Sequence, residues 1–311
     1  MRTFLVLLLL FALAAVVGGL LAHPVWTLLQ LFDDGPIHRV MNRIGMLVLA
    51  VTTLLYLRRK GLADKETLGY ALPRPWFIRQ MLWGFGAGVL LVLPVAAALF
   101  GLELRTLSPG VSGAESPIIL LVGLIVQGLL TGLLIAFIEE TYFRGALFTA
   151  VERESGLLLA IALPTLWYAT MHFLGSSVRI PRDEINYWSG LQIAANLFDR
   201  YANPLRLIDS FLALMALGVL LSLMRHRTGA IAACIGLHAG GVGVILVIRE
   251  ISIENPQAQL FWLVGSHDGV IGWMMAGWIT LMTAAYWYVS GRMQTLDRRP
   301  MAGAGSEVSG F

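Results

Sequence analysis

Charge is scarce in this chain. Of its 311 residues only 13% are Asp, Glu, Lys or Arg, while 57% are hydrophobic and the mean hydropathy is +0.75. Soluble domains carry about 25% charged residues, so this composition belongs in a bilayer. Cysteine is scarcer still. The one thiol, Cys234, lies inside an apolar run, which excludes an intramolecular disulfide and a thiolate zinc cluster. There is no convincing internal repeat, no soluble second domain and none of the regular short alternation of a membrane barrel. A net charge of +3 and a pI near 9.2 would suit a nucleic-acid partner if the basic residues formed a stripe. They are scattered between apolar runs, so they read as membrane-topology charge and no nucleic acid is expected.

What is present is a succession of eight apolar runs: Phe4 to Leu21, Ile44 to Leu57, Met81 to Phe100, Ile118 to Ile138 (continuing to about Phe148), Leu157 to Leu174, Phe211 to Met224, Ala230 to Ile248 and Val270 to Val289. Lipid offers no hydrogen-bond partners to the backbone, so runs of this length predict helices. The expected fold is all-α, a polytopic membrane bundle of about eight transmembrane helices in a single domain over residues 1–290. The tail 291–311, glycine-rich and poor in apolar residues, is expected to be disordered. The first run follows Arg2 like a signal peptide. The residues ahead of Ala22, Gly19 and Leu20, make a poor cleavage site, however, and an uncleaved anchor is the better reading.

With the N-terminus inside, 14 of the 22 Lys and Arg residues fall on inside segments, among them Arg58, Arg59, Lys60, Lys65, Arg74 and Arg79. Both termini are therefore expected in the cytoplasm, which puts Glu139 and Glu140 at the cytoplasmic end of the fourth span. In the long outside connection, residues 175–208, Trp188, Leu191, Ala195, Phe198 and Ala202 recur at the spacing of an interfacial helix.

Removing every ionisable residue at a span boundary or in a connection leaves Glu139, Glu140, Arg144, His172 and His238. An intramembrane charge costs about 2.5–3.5 kcal/mol on insertion scales, so it persists mainly where it pairs or does chemistry. Glu140 and Arg144, four residues apart with the acid first, stack as an ion pair. Glu139 points about 100° away, on the face of Ile135, Thr131 and Gln127. Glu140 with Arg144 reads as a brace, leaving Glu139 free to act. His172 follows Tyr168 by one turn, beyond Pro164. His238 sits among Gly236, Gly240, Gly241 and Gly243, a smooth surface for close helix approach, and Gly128 and Gly132 provide the same device on the fourth span. Simple topology leaves Glu139 and His172 near opposite faces. A common site needs a tilted, broken or re-entrant fifth span, or an extended fourth one.

These residues resemble the CAAX-protease and bacteriocin-processing (CPBP, or Abi) family of intramembrane proteases, whose pattern is EExxxR, FxxxH and HxxxN or HxxxD on three core helices. Here EExxxR is Glu139, Glu140 and Arg144; the second motif is Tyr168 to His172, with tyrosine for phenylalanine; the third starts at His238 but has Val242 where an amide or carboxylate is expected. The CPBP-like core spans about 118–248. The resemblance implies that Glu139 is the general base, His172 its partner or a metal ligand, and His238 an oxyanion donor or ligand, with Glu140, Arg144 and Tyr168 in support. The resemblance also implies a Zn²⁺ on Glu139, His172 and His238, whose imidazole and carboxylate donors suit that ion. Parts of the competing proteases are missing: there is no HExxH, no pair of intramembrane aspartates and no G-x-S-x-G serine. The expected substrate is a membrane-associated or lipidated peptide or protein, and the expected location a bacterial inner membrane. Two alternatives stay open. Val242 suits a non-catalytic scaffold on the same helices. Intramembrane Glu and His also suit a proton- or metal-coupled transporter.

Overall fold

The computed structural model describes residues 1–31, 35–112, 116–265 and 267–297. Its long elements are α1 (Arg2–Leu29), α2 (Ile37–Arg59), α3 (Arg74–Gly101) and α4 (Pro117–Glu140), which runs through a π-helical segment, Thr141–Leu147, into α5 (Phe148–Ser155). These are followed by α6 (Leu157–His172), the short α7 (Ser189–Ala195), α8 (Ile208–Thr228), α9 (Ala232–Ile251) and α10 (Trp273–Asp297). A two-stranded antiparallel ribbon pairs β1 (Arg105–Leu107) with β2 (Ser252–Glu254) at one end of the bundle.

Proline and glycine punctuate the helices. Pro117 opens α4, where its missing N–H costs nothing, and Gly229, left-handed at φ 67°, closes α8. All eight expected spans are helices. Among the described residues six helical segments, counting Pro117–Ser155 as one of 39 residues, are long and apolar enough to cross a membrane. The other two expected spans are α6, only 16 residues, and the less apolar α10. Large apolar side chains such as Leu90, Ile119, Leu130, Leu158 and Leu281 stand exposed on the outside, the arrangement a lipid face requires.

The bundle is arranged around α9, which packs most extensively against α3 and then α4. Small residues make this possible. Gly236 and Gly240 face α3, where a Cβ would overlap the Met81 and Phe85 carbonyl oxygens. Gly128 and Gly132 meet the other side of α9, where a Cβ on Gly132 would stand 2.6 Å from the Ala239 carbonyl oxygen. The two stripes thus serve separate interfaces of one helix, because α9 is sandwiched.

The expected interfacial helix is broken. Over 188–202 the chain forms α7, stops at Asn196 and resumes as a 3-10 turn at Asp199–Ala202. Trp188 and Phe198 stay exposed while Gly190 packs on Gly19 of α1. The last helix continues through Asp297, past the point where the tail was expected to begin. Residues 298–311, the rest of that tail, lie outside the described residues.

Candidate active site

Glu139 and Glu140 close α4, yet the helix does not end there. The π segment and α5 carry it on to Ser155, so the carboxylates lie inside a 39-residue helical run and not at its end. The continuation expected to about Phe148 is present and runs on to Ser155. It also resolves the apparent mismatch with His172. At 1.5 Å per residue α6 is about 24 Å long, short of the roughly 30 Å hydrocarbon core. An extended fourth span, together with a short fifth, brings the two residues to one depth.

The two acids have different surroundings. The Glu140 side chain is 0% exposed. It pairs with Arg144 Nη1 at 3.0 Å and takes a 2.8 Å hydrogen bond at the same Oε1 from His238 Nδ1. A carboxylate in an ion pair only accepts, so Nδ1 of His238 carries the proton and Nε2 is turned the other way. Arg144 is also buried. Its Nη2 donates to the Gly218 carbonyl at 3.3 Å, and its guanidinium lies 4.6 Å from the centroid of the Tyr168 ring. The backbone of the π segment is held from outside: Arg225 Nε donates to the Arg144 carbonyl oxygen at 3.0 Å, while Arg225 Nη2 reaches Thr149 and the Thr67 carbonyl. Glu140 and Arg144 therefore form the brace that the four-residue spacing implied, and the brace extends to a third member, His238.

Glu139 is 27% exposed and has no hydrogen-bond partner for Oε2. That atom stands 3.8 Å from His238 Nε2 and 4.0 Å from His172 Nε2. His172 Nδ1 donates to the Tyr168 carbonyl at 2.8 Å, which fixes the ring with Nε2 toward Glu139. Tyr168 packs edge-on to His172, with ring centroids 4.5 Å apart. All of Glu139, His172, His238 and Tyr168 line one cavity of about 340 Å³. Such gaps are too long for direct hydrogen bonds and suit a shared water. Val242 lines the same cavity one turn beyond His238.

The site thus brings together all six residues singled out from the sequence, across α4, α6 and α9. Ligands on a tetrahedral zinc stand about 3.3 Å apart, given Zn–N near 2.0–2.1 Å, so these separations are wider than a closed metal site. Among the described residues no group of three His, Cys, Asp or Glu is arranged to hold a metal. Sequence reasoning missed Arg225, which it counted only as topology charge. It also missed Arg249, His267 and Asp268, which line the far end of the cavity. The seven-residue steps from Val242 to Arg249 on one face of α9 were the available signal for Arg249. His267 and Asp268 are joined to the cavity only by the fold of their loop. In that loop burial, with Arg200 nearby, holds the His267 imidazole below its ordinary range.

The helical bundle thus gathers a carboxylate and two imidazoles from three core helices around one cavity. Residues 121–242 match the family model described as "Rce1-like: Type II CAAX prenyl endopeptidase Rce1-like", so this region is similar to that family. The match contains all three motifs and ends at Val242. No curated protein and no solved structure matches the chain.

Proposed function

We propose that this protein is an intramembrane endopeptidase that hydrolyses a peptide bond in a membrane-associated peptide, with Glu139 as general base. The observation that carries the proposal is the convergence of Glu139 Oε2, His172 Nε2 and His238 Nε2 at 3.8–4.0 Å within one cavity. A water held between these atoms gives its proton to Glu139 as its oxygen attacks the scissile carbonyl carbon. The carboxyl of Glu139 then passes that proton to the departing amine. His238, held against Glu140, presents Nε2–H to the developing oxyanion in its imidazolium form, and His172 orients the water. Val242 supplies no side-chain donor, so the oxyanion is served by fewer groups than the family pattern provides.

The distribution of Lys and Arg supports placing both termini in the cytoplasm, and a bacterial inner membrane is part of the same proposal. The test is cleavage of a membrane peptide by purified protein in detergent or proteoliposomes. Glu139→Ala is expected to abolish turnover with the protein still folded, and full activity in that variant sinks the assignment. One further reading rests on a single observation. Val242 suits a scaffold without catalysis, in which Glu139→Gln keeps the biological effect.

A further inference from the structure

The catalytic cavity hollows one half of the bundle, and the other half is filled: Arg144, Leu147, Phe148, Val151 and Arg225 are all buried there. Against that filled half lies the connection between α2 and α3, residues 60–73. On its inner side this connection clamps the π segment. The Thr67 carbonyl oxygen accepts from Thr149 Oγ1 at 2.9 Å and from Arg225 Nη2 at 3.3 Å, and the hydroxyls of Tyr70 and Thr141 share a 2.5 Å hydrogen bond. Leu68 crosses Gly145 so closely that a Cβ there would stand 2.9 Å from the Leu68 carbonyl oxygen.

The outer side of the same connection is open. A groove of about 500 Å³ runs between it and the first turn of α3. Its two cations, Lys65 and Arg74, are exposed, and among the described residues neither side chain has a hydrogen bond or ion pair. Leu68, Leu72 and Phe77 make the wall apolar, with the Tyr70 ring stacked on Phe77 at 5.5 Å. Of the acids in this stretch, Asp64 is committed to the backbone N–H and hydroxyl of Thr67 at 2.8 and 2.6 Å, and Glu66 lies outside the lining. From Arg74 the surface continues along α3. Arg74, Ile78 and Leu82 recur at four-residue spacing and so share one face, where a second groove of about 420 Å³ is lined by Ile78, Leu82 and Trp83. These three side chains are exposed, as is Trp76, and tryptophan at the start of a span marks the boundary between membrane and water.

We propose that this surface binds an anionic phospholipid, with the headgroup phosphate received by Lys65 and Arg74 and an acyl chain laid along Ile78, Leu82 and Trp83. Two uncompensated cations suit a phosphate, and the apolar face that continues from them suits the hydrocarbon to which that phosphate is joined. The connection that forms the groove is also the one that clamps the π segment, so a ligand that ties Lys65 to Arg74 fastens the clamp behind Glu139 and Glu140. Binding here is independent of the chemistry at Glu139.

The test is thermal unfolding of the purified full-length chain in a nonionic detergent, with added phosphatidylglycerol, with phosphatidylcholine of the same acyl chains, or with inorganic phosphate. Phosphatidylglycerol is expected to raise the unfolding temperature by several degrees, as a ligand of the folded state does, and the other two to leave it in place. Lys65→Gln combined with Arg74→Gln should unfold at the wild-type temperature without lipid and lose most of the shift. Arg58→Gln combined with Arg59→Gln removes the same charge from outside the groove and should keep it. The single variant Lys65→Gln, at an exposed side chain without a partner, should lose part of the shift and decides the matter if the double variant does not fold. The site is overturned by no shift with phosphatidylglycerol, by an equal shift with phosphatidylcholine, which is general stabilisation by lipid, or by a shift with inorganic phosphate alone, which is a free-anion site. Equal losses in the two double variants also overturn it, since they would reflect attraction to surface charge at large.

Discussion

Glu139 and Glu140 are the same side chain in adjacent positions, and the fold gives them opposite surroundings. Glu140 faces the filled half of the bundle, fully buried, with Arg144 and His238 both on one oxygen. Glu139 faces the hollow half, partly exposed, with two imidazole nitrogens at a water's distance and no arginine beside it; an unpartnered Oε2 is common to both acids. A carboxylate whose charge is compensated by an arginine contributes to architecture; one left facing imidazoles in a cavity is available for proton transfer. A single step of about 100° around the helix separates these roles, and His238 spans both, with Nδ1 on Glu140 and Nε2 toward Glu139.

The comparison is broken most severely at Glu140. Glu140→Ala leaves Arg144 charged and buried without its acid, and removing one partner of a buried pair typically costs about 3–5 kcal/mol. The variant is expected to show a large drop in thermal unfolding temperature in detergent as well as lost activity. Glu139→Gln is the counterpart. Its side chain reaches the cavity and anchors nothing, so unfolding should stay near wild type while turnover falls about 10²–10⁴-fold, the usual range for a missing general base. If the two variants lose stability equally, the division of labour between the acids is wrong.

The helices and the distinction between the two acids were legible in the sequence, since both follow from apolar run length and from the 3.6-residue period. The end of the fourth helix was legible only in part. Its continuation past Ile138 was expected to about Phe148, and it runs through the π segment to Ser155, because polar side chains there turn into the bundle, where Arg144 and Thr149 find partners. Nor was the Glu140–His238 bond readable: its partners are 98 residues apart and meet only because α9 is pressed between α3 and α4.

That sandwich offers a smaller test. A Cβ on Gly132 meets the α9 backbone, whereas one on Gly123, in the same helix, meets nothing within 4 Å. Gly132→Val is expected to cost about 1–3 kcal/mol through overpacking and to disturb the site by shifting α9. Gly123→Val should leave unfolding temperature and turnover close to wild type. Equal losses would mean that the close approach of α4 and α9 does not set the position of His238.

The smallest expected effect is a gain. Val242 lines the cavity one turn beyond His238 on the same helix face, so an amide placed there would project into the same space. A preorganised oxyanion donor is worth about 10²–10³ in rate. The new amide would not be held in place by partners evolved for it, so Val242→Asn should recover only a fraction, about tenfold in kcat with little change in KM. A gain confined to kcat would show that the hollow half lacks a donor that its chemistry can use. A fall in kcat would instead show that the apolar wall at this position is needed to seat the substrate, and that the oxyanion is already served by His238 alone.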